Sequence, residues 1–267
     1  MPRAACPASD YIPQQRTILG MRLGRADFIS ARHNDPDAFE DSIRAWRKGG
    51  GVGRVWIAVE SLYSMDGDRA PLAELVGLAA SHHAFLLIDE AHATGVFGPS
   101  GRGLADGLDG VEDVVTLRTC GKALGCEGAL LCGSRTFRDF LVNRGRGFIF
   151  STAPSPLMAS AVREALRIVA DEPDRRDRLG ALVATAERAL EPCGVAPTGS
   201  QILPLVIGDD VATMRVAAAV QAAGFDVRGI RPPTVPAETS RLRISLTLNA
   251  NPASIDALAD ALADALA

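Results

Sequence analysis

Short apolar runs alternate along this chain with amphipathic stretches, and the alternation lays out a fold. Residues 54–59 and 84–88, and the Val-Val-Thr-Leu within 113–117, have the length and β-branched content of buried strands. Between the first two, Leu72, Leu75, Val76 and Leu78 draw one buried stripe of a helix that Pro71 opens and that runs to about His83. Strand, helix, strand at this spacing is a βαβ unit and predicts a parallel sheet. Upstream, a helix over 36–47 is capped by Asp35 or Asp37 and stopped by Gly49-Gly-Gly-Val-Gly53. It is followed, after the strand 54–59, by a polar loop carrying Glu60, Ser64 and Asp66-Gly-Asp.

Downstream, 127–132 reads as a strand, 135–144 as a helix, and a long helix starts near Pro154 and runs through Ile168. Charge density jumps at Asp171-Glu-Pro-Asp174, which marks a boundary. Beyond it the pattern is helix (175–191), strand (202–207), helix (211–223), strands (225–230 and 241–247) and helix (252–266), a small α+β arrangement. The expected division is therefore an atypical segment over 1–17, a large domain over 18–172 and a C-terminal small domain over 173–267. The overall class is α/β, a mostly parallel sheet flanked by helices.

Composition narrows the partners. With 47% hydrophobic and 22% charged residues the chain is ordinary globular protein, long enough for one large or two unequal domains. A net charge of −4 with no basic run argues against nucleic acid and anionic membranes. No apolar run reaches a spanning length, and the N-terminus lacks a signal-peptide core. The five cysteines show no Cys-x-x-Cys spacing and are odd in number, as expected for reduced thiols in a cytoplasmic protein. No metal ion is expected.

The candidate chemistry lies where two apolar runs stop. Asp89 and His92 follow the first, and Thr119 and Lys122 follow the second. In an open parallel sheet, ligands bind outside the carboxyl ends of the strands, so these four side chains are expected to share one crevice. The chain holds only two lysines, Lys48 and Lys122, and one of them sits between Gly121 and Ala123-Leu124-Gly125 at such an end. An amine, a carboxylate, an imidazole and a hydroxyl are what a pyridoxal 5'-phosphate (PLP) site needs. The amine forms a Schiff base and the carboxylate keeps the pyridine nitrogen protonated.

The stretches Asp89-Glu-Ala-His-Ala-Thr-Gly-Val-Phe-Gly-Pro-Ser-Gly-Arg-Gly103 and Thr119-x-Gly-Lys122 resemble the α-oxoamine synthases. These are fold-type-I PLP-dependent transferases that condense an amino acid with an acyl thioester and lose carbon dioxide. Glu60-Ser-Leu-Tyr-Ser-Met-Asp-Gly-Asp68 and Arg32-His-Asn-Asp35 match as well. Phe148-Ile-Phe-Ser-Thr-Ala-Pro-Ser-Pro156, Ile230-Arg-Pro-Pro-Thr-Val-Pro236 and Ser240-Arg-Leu-Arg-Ile-Ser-Leu-Thr247 are similar to the biotin-pathway branch, the 8-amino-7-oxononanoate synthases. The resemblance runs from about Gly20 to the C-terminus and makes 18–172 the cofactor-binding domain.

By that resemblance Lys122 holds the cofactor and then acts as general base at the substrate α-carbon. Asp89 faces the pyridine nitrogen, His92 and Ser64 lie by the ring 3-hydroxyl, and Thr119 contacts the phosphate. Arg243 takes the substrate carboxylate and Thr234 a second substrate contact. Thr152 reaches the phosphate of a neighbouring subunit, which implies a homodimer. The reaction implied joins L-alanine to a pimeloyl thioester, carried by coenzyme A or acyl carrier protein. The alternatives are glycine or serine with another acyl thioester, or a non-catalytic fragment.

Members of the family carry further N-terminal sequence, including a phosphate-cradling loop and an Asp-x-x-x-His-Ala-Ser stretch whose histidine stacks on the cofactor. The nearest positions here are Asp10 and Gln14-Gln15-Arg16. The expectation is an N-terminally truncated chain in which residues 1–16 come from a shifted frame or internal start, with an exposed sheet edge and reduced solubility.

Overall fold

A computed structural model describes residues 5–9 by their backbone and residues 27–267 in full. Asp10 and Gln14 to Arg16 fall outside the described residues. The described chain divides into two units, one made of 5–9, 27–62 and 69–173, the other of 63–68 and 174–267.

The first unit is built on β3 (Trp56–Glu60), β4 (Phe85–Asp89) and β5 (Val114–Thr119), which pair in parallel. Ile57, Leu86 and Ile88 on one face and Ala58 and Val115 on the other are buried, as expected of strands covered on both faces. Phe39 and Ile43 of α1 (Pro36–Lys48) and Leu75 of α2 (Leu72–Ser81) pack into the same core. The expected cap is present: Asp35 Oδ1 accepts the Ala38 N–H at 3.0 Å, and Gly49 closes the other end. β6 (Ala129–Cys132) joins β5 antiparallel and leads into α3 (Arg135–Arg144), α4 (Arg146–Ile149) and α5 (Pro156–Asp171).

Two strands escaped the hydrophobic pattern. β1 (Ala5–Ser9) lies in the stretch read as atypical and contains Pro7, while β2 (Asp27–Ala31) pairs with it in parallel. Among the described residues the sheet order is β2-β1-β3-β4-β5-β6. Three expected boundaries also move. Glu60 belongs to β3 and is buried, not in the loop; Asp89 and Thr119 are the last residues of their strands. The backbone ladder extends to them because each neighbour strand still offers a partner. α4 was not anticipated; it is four residues long and buries none of them, so no apolar period announced it.

One buried ion network sits at the end of β5. Arg118 Nη1 bonds Glu90 Oε2 at 3.2 Å and the Arg102 carbonyl, and Nη2 bonds both Asp109 oxygens at 3.1 and 3.0 Å. Glu90 is fully buried, and desolvation raises its pKa although the Arg118 charge opposes the rise. Burial works against the Arg118 charge too, and the Asp109 carboxylate overcomes it, so the guanidinium pKa rises. Gly103 makes room: at φ +97° a Cβ there would stand 1.6 Å from Glu90 Oε2.

The second unit is an antiparallel sheet of β7 (Ile202–Gly208), β9 (Ser240–Ser245) and β8 (Arg228–Ile230), in the order β7-β9-β8. It packs on α6 (Asp174–Leu190), α7 (Asp210–Ala222) and α8 (Pro252–Leu266) through Leu190, Leu203, Val220, Leu242 and Leu262. β8 is shorter than the expected 225–230 because Phe225 donates its N–H to Val220 O and so still closes α7. The hexapeptide 63–68 belongs here. Arg241, 1% exposed, pairs with Asp66 and reaches Met65 O, and Gly67 lies so close to Ile202 O that a Cβ would come within 2.2 Å.

Two outcomes follow from the Glu90 pocket. Gly103→Ala is expected to destabilise the chain by about 3 kcal/mol through left-handed backbone strain and overlap with Glu90, measured by denaturant unfolding. Because the folded Glu90 pKa lies above its unfolded value, its contribution favours folding below the ordinary carboxylate range. That contribution is lost as pH rises through the folded value. Melting scans across pH should therefore show Glu90→Gln gaining on the wild type as pH increases from that range upward.

Candidate active site

Parallel register brings the first unit's candidates to one edge. Glu60, Asp89 and Leu117 stand level across β3, β4 and β5, so Asp89 and Thr119 end neighbouring strands on the same side of the sheet. Asp89 is 8% exposed, and its Oδ1 accepts the Ala91 N–H at 2.9 Å, which turns the chain sharply off β4. Glu90 O then accepts from Ala93 and Thr94, and this turn presents a half-buried His92.

Lys122 lies three residues beyond β5 and is exposed, in a loop closed by the Cys126 N–H donating to Cys120 O at 2.8 Å. Cys120 beside it is buried in a small cluster with Leu124 and Val162, and burial pushes its thiol pKa up. The two loops meet. A Cβ built on Gly95, at φ +82°, would stand 2.8 Å from the Ala123 side chain, so the His92 loop and the Lys122 loop touch directly. The strands ending at Asp89 and Thr119 are neighbours, and the loops that follow them, carrying His92 and Lys122, approach each other at Gly95 and Ala123.

Thr119 Oγ1 is buried and has no hydrogen-bond partner among the described residues, as does Thr94 Oγ1 in the His92 turn. Buried hydroxyls normally find partners, and an orphaned one at a strand end fits a ligand oxygen. Thr94 was not singled out in the sequence, although its place in the Asp-Glu-Ala-His-Ala-Thr-Gly turn was visible. Thr152 sits in an exposed segment between α4 and α5 of the same unit.

The remaining candidates belong to the second unit. Arg243 on β9 donates through Nε to the Ser64 carbonyl and through Nη1 to Ser245 Oγ at 3.0 Å. Ser64 is buried, and Thr234 is half-buried in a turn where its N–H donates to Arg231 O. Ser64 and Arg243 are therefore adjacent, a pairing that nothing in the spacing of positions 64 and 243 announces. Arg241, Glu90 and Arg118 were missed; the available signal was a charge inside a strand for the two arginines and, for Glu90, a second carboxylate directly after Asp89.

The aminotransferase class I and II family model matches residues 17–262. An 8-amino-7-oxononanoate synthase of Anaeromyxobacter sp. (strain K) is 42% identical over 252 residues, covering 93% of this chain and 62% of that protein. A putative 8-amino-7-oxononanoate synthase of Geobacillus kaustophilus is 40% identical, covering 94% and 65%. The chain thus spans about three fifths of the curated relatives it matches. Among solved structures, a serine palmitoyltransferase variant from S. paucimobilis with a bound PLP–myriocin aldimine superposes with TM-score 0.86 at 26% identity, covering 98% of this chain and 66% of that one. An 8-amino-7-oxononanoate synthase from Francisella tularensis, at 22% identity and TM-score 0.83, shares the fold. By sequence along nearly its whole length and by its mostly parallel α/β sheet, the chain belongs to the aminotransferase class I and II family, with the architecture of fold-type-I PLP-dependent transferases.

Proposed function

We propose that this chain binds PLP and serves the decarboxylative condensation of L-alanine with a pimeloyl thioester to 8-amino-7-oxononanoate, a step of biotin synthesis. The observation that carries the reading is the convergence of the Asp89–His92 and Thr119–Lys122 strand ends, whose loops touch at Gly95 and Ala123. The residues fit the cofactor. Thr119 Oγ1 is a buried hydroxyl available to a phosphate oxygen, and Asp89 is a carboxylate held rigid by the Ala91 N–H. Bound PLP would supply an electron sink for the carbanion generated at the amino acid α-carbon.

The chain's own groups have separable tasks. Lys122 would hold the cofactor through its amine and would serve as the base at the substrate α-carbon. Asp89 would supply a negative charge to a bound pyridinium and His92 a hydrogen bond to its ring; for Ser64, in the second unit, the resemblance alone supports a cofactor role. Arg243 offers a guanidinium to the alanine carboxylate, its Nε already fixed on Ser64 O so that the fork is oriented in advance. Thr234 lies in the same unit, and the resemblance supports a second substrate contact there.

The relatives at about 40% identity are 8-amino-7-oxononanoate synthases, whereas the serine palmitoyltransferases are 26% identical, which favours alanine and a pimeloyl donor over serine and a long acyl chain. Self-association belongs to the same reading. Phe148, Phe150 and Leu157 are 65%, 74% and 78% exposed around Thr152, an apolar surface that a second copy would cover. Among the described residues no helix is long and apolar enough to cross a membrane. Free thiols at Cys120, Cys126, Cys132 and Cys193 fit a reducing compartment such as the cytoplasm.

Titrating PLP into the purified chain is expected to give a visible absorbance band that borohydride converts to a permanent adduct, both absent in Lys122→Ala. A band that persists in that variant counts against Lys122. Product analysis of the loaded chain with a pimeloyl thioester should show 8-amino-7-oxononanoate from alanine. Arg243→Met should raise the alanine KM at least tenfold, on the order of one charge-assisted bidentate contact. Equal turnover with glycine or serine would redirect the assignment to another α-oxoamine synthase.

A further inference from the structure

The long connection from β4 to β5 carries His92 near its start, and one side chain of β5 holds it at several points. Successive strand residues face opposite sides of the sheet, so Arg118 and Thr116 turn away from the side that Thr119 takes. On that far side Arg118 gathers Glu90, the Arg102 carbonyl and Asp109, and Thr116 Oγ1 adds a bond to Asp109 Oδ1 at 3.0 Å. Glu90 Oε1 in turn accepts the Ala105 N–H at 3.2 Å. Glu90 is also the pivot of the His92 turn: its N–H donates to Leu117 O at 2.8 Å, and its carbonyl receives Ala93 and Thr94. A single guanidinium therefore ties the start, middle and end of the connection to the strand that leads to Lys122.

We infer that Arg118 is a positioning residue, latching the His92 loop through Glu90 and Asp109 so that it meets the Lys122 loop in the geometry the cofactor requires. The inference rests on the PLP reading above. A buried ion pair contributes little net stability compared with well-packed apolar side chains, so its value here is directional. It fixes where the Asp89–Thr94 turn points, and the junction has little play: a Cβ added at Gly95 would come within 2.8 Å of Ala123.

The test pairs Arg118→Met/Glu90→Met, which removes both charges together, with Arg118→Lys, which keeps the charge and loses the fork. The double variant is expected to keep its melting temperature within a few degrees. It should bind PLP about tenfold more weakly and shift the pH midpoint of the visible band, because misplacing a binding group by about an ångström is costly. Amide hydrogen exchange should quicken over 91–105 and nowhere else, with Arg118→Lys intermediate in all three readouts. Wild-type PLP affinity, pH midpoint and exchange in the double variant would overturn the latch. Should the double variant not fold, unchanged values in Arg118→Lys overturn it equally. A wild-type chain that takes up no PLP would count against the cofactor reading alone, since exchange over 91–105 still decides whether the latch orders the His92 loop.

Discussion

The structure depends on the backbone ladder that aligns β3, β4 and β5. Parallel pairing with Glu60, Asp89 and Leu117 level leaves no freedom in where the strand ends fall. Since both faces are covered, a slip of one residue would swap buried Leu86 and Ile88 for half-buried Phe85 and Leu87 and turn Asp89 away from its side. The hydrophobic core thus sets the address of a carboxylate and a hydroxyl that contribute nothing to it. Chemistry at the edge is inherited from register in the middle.

Around that edge the chain invests polar interactions in pairs of layers. Asp89 and Thr119 take one side, and Glu90 and Arg118 take the other, with alternation along each strand separating the groups proposed to touch a ligand from the groups that hold them. Glycines at 95 and 103 serve the same purpose by different means, one admitting Ala123 and the other admitting the Glu90 carboxylate. The Asp-Glu-Ala-His-Ala-Thr-Gly to Gly-Arg-Gly stretch is therefore a folded piece of machinery whose charged and small residues are mutually required. Its compactness is what lets two separate loops come together without a shared secondary-structure element.

Much of this was legible beforehand. β4, β5, α3 and α8 were read from periodicity because each buries a regular set of positions, or, for α3, starts at a serine N-cap and ends at Gly145. Asp89 and Thr119 could be placed at strand ends because polar groups follow directly where apolar runs stop, whereas Lys122 taken alone reads as a surface lysine and stands out only by its spacing from Asp89 and His92. β1 and β2 were not: one holds a proline and the other mixes Asp27 and Ser30 into five residues, so neither shows the apolar run of a central strand. Arg118 hid in plain sight, because one charge within Val-Val-Thr-Leu-Arg-Thr reads locally as a strand end, and its partners lie 9 to 28 residues away. The adjacency of Ser64 and Arg243 was beyond reach for the same reason at a larger scale.

That last separation has a consequence for how the chain is born. Asp66 and Arg241 are 175 positions apart, and the buried guanidinium on β9 has its carboxylate on a hexapeptide made long before it. That hexapeptide therefore cannot take its final place as it emerges from the ribosome. It must wait for β9, and loop-closure entropy opposes a meeting across so long a stretch of chain. Maturation of the second unit is in this sense a reunion of distant parts, and the stretch bearing Ser64 acquires its final shape only once β9 has been made.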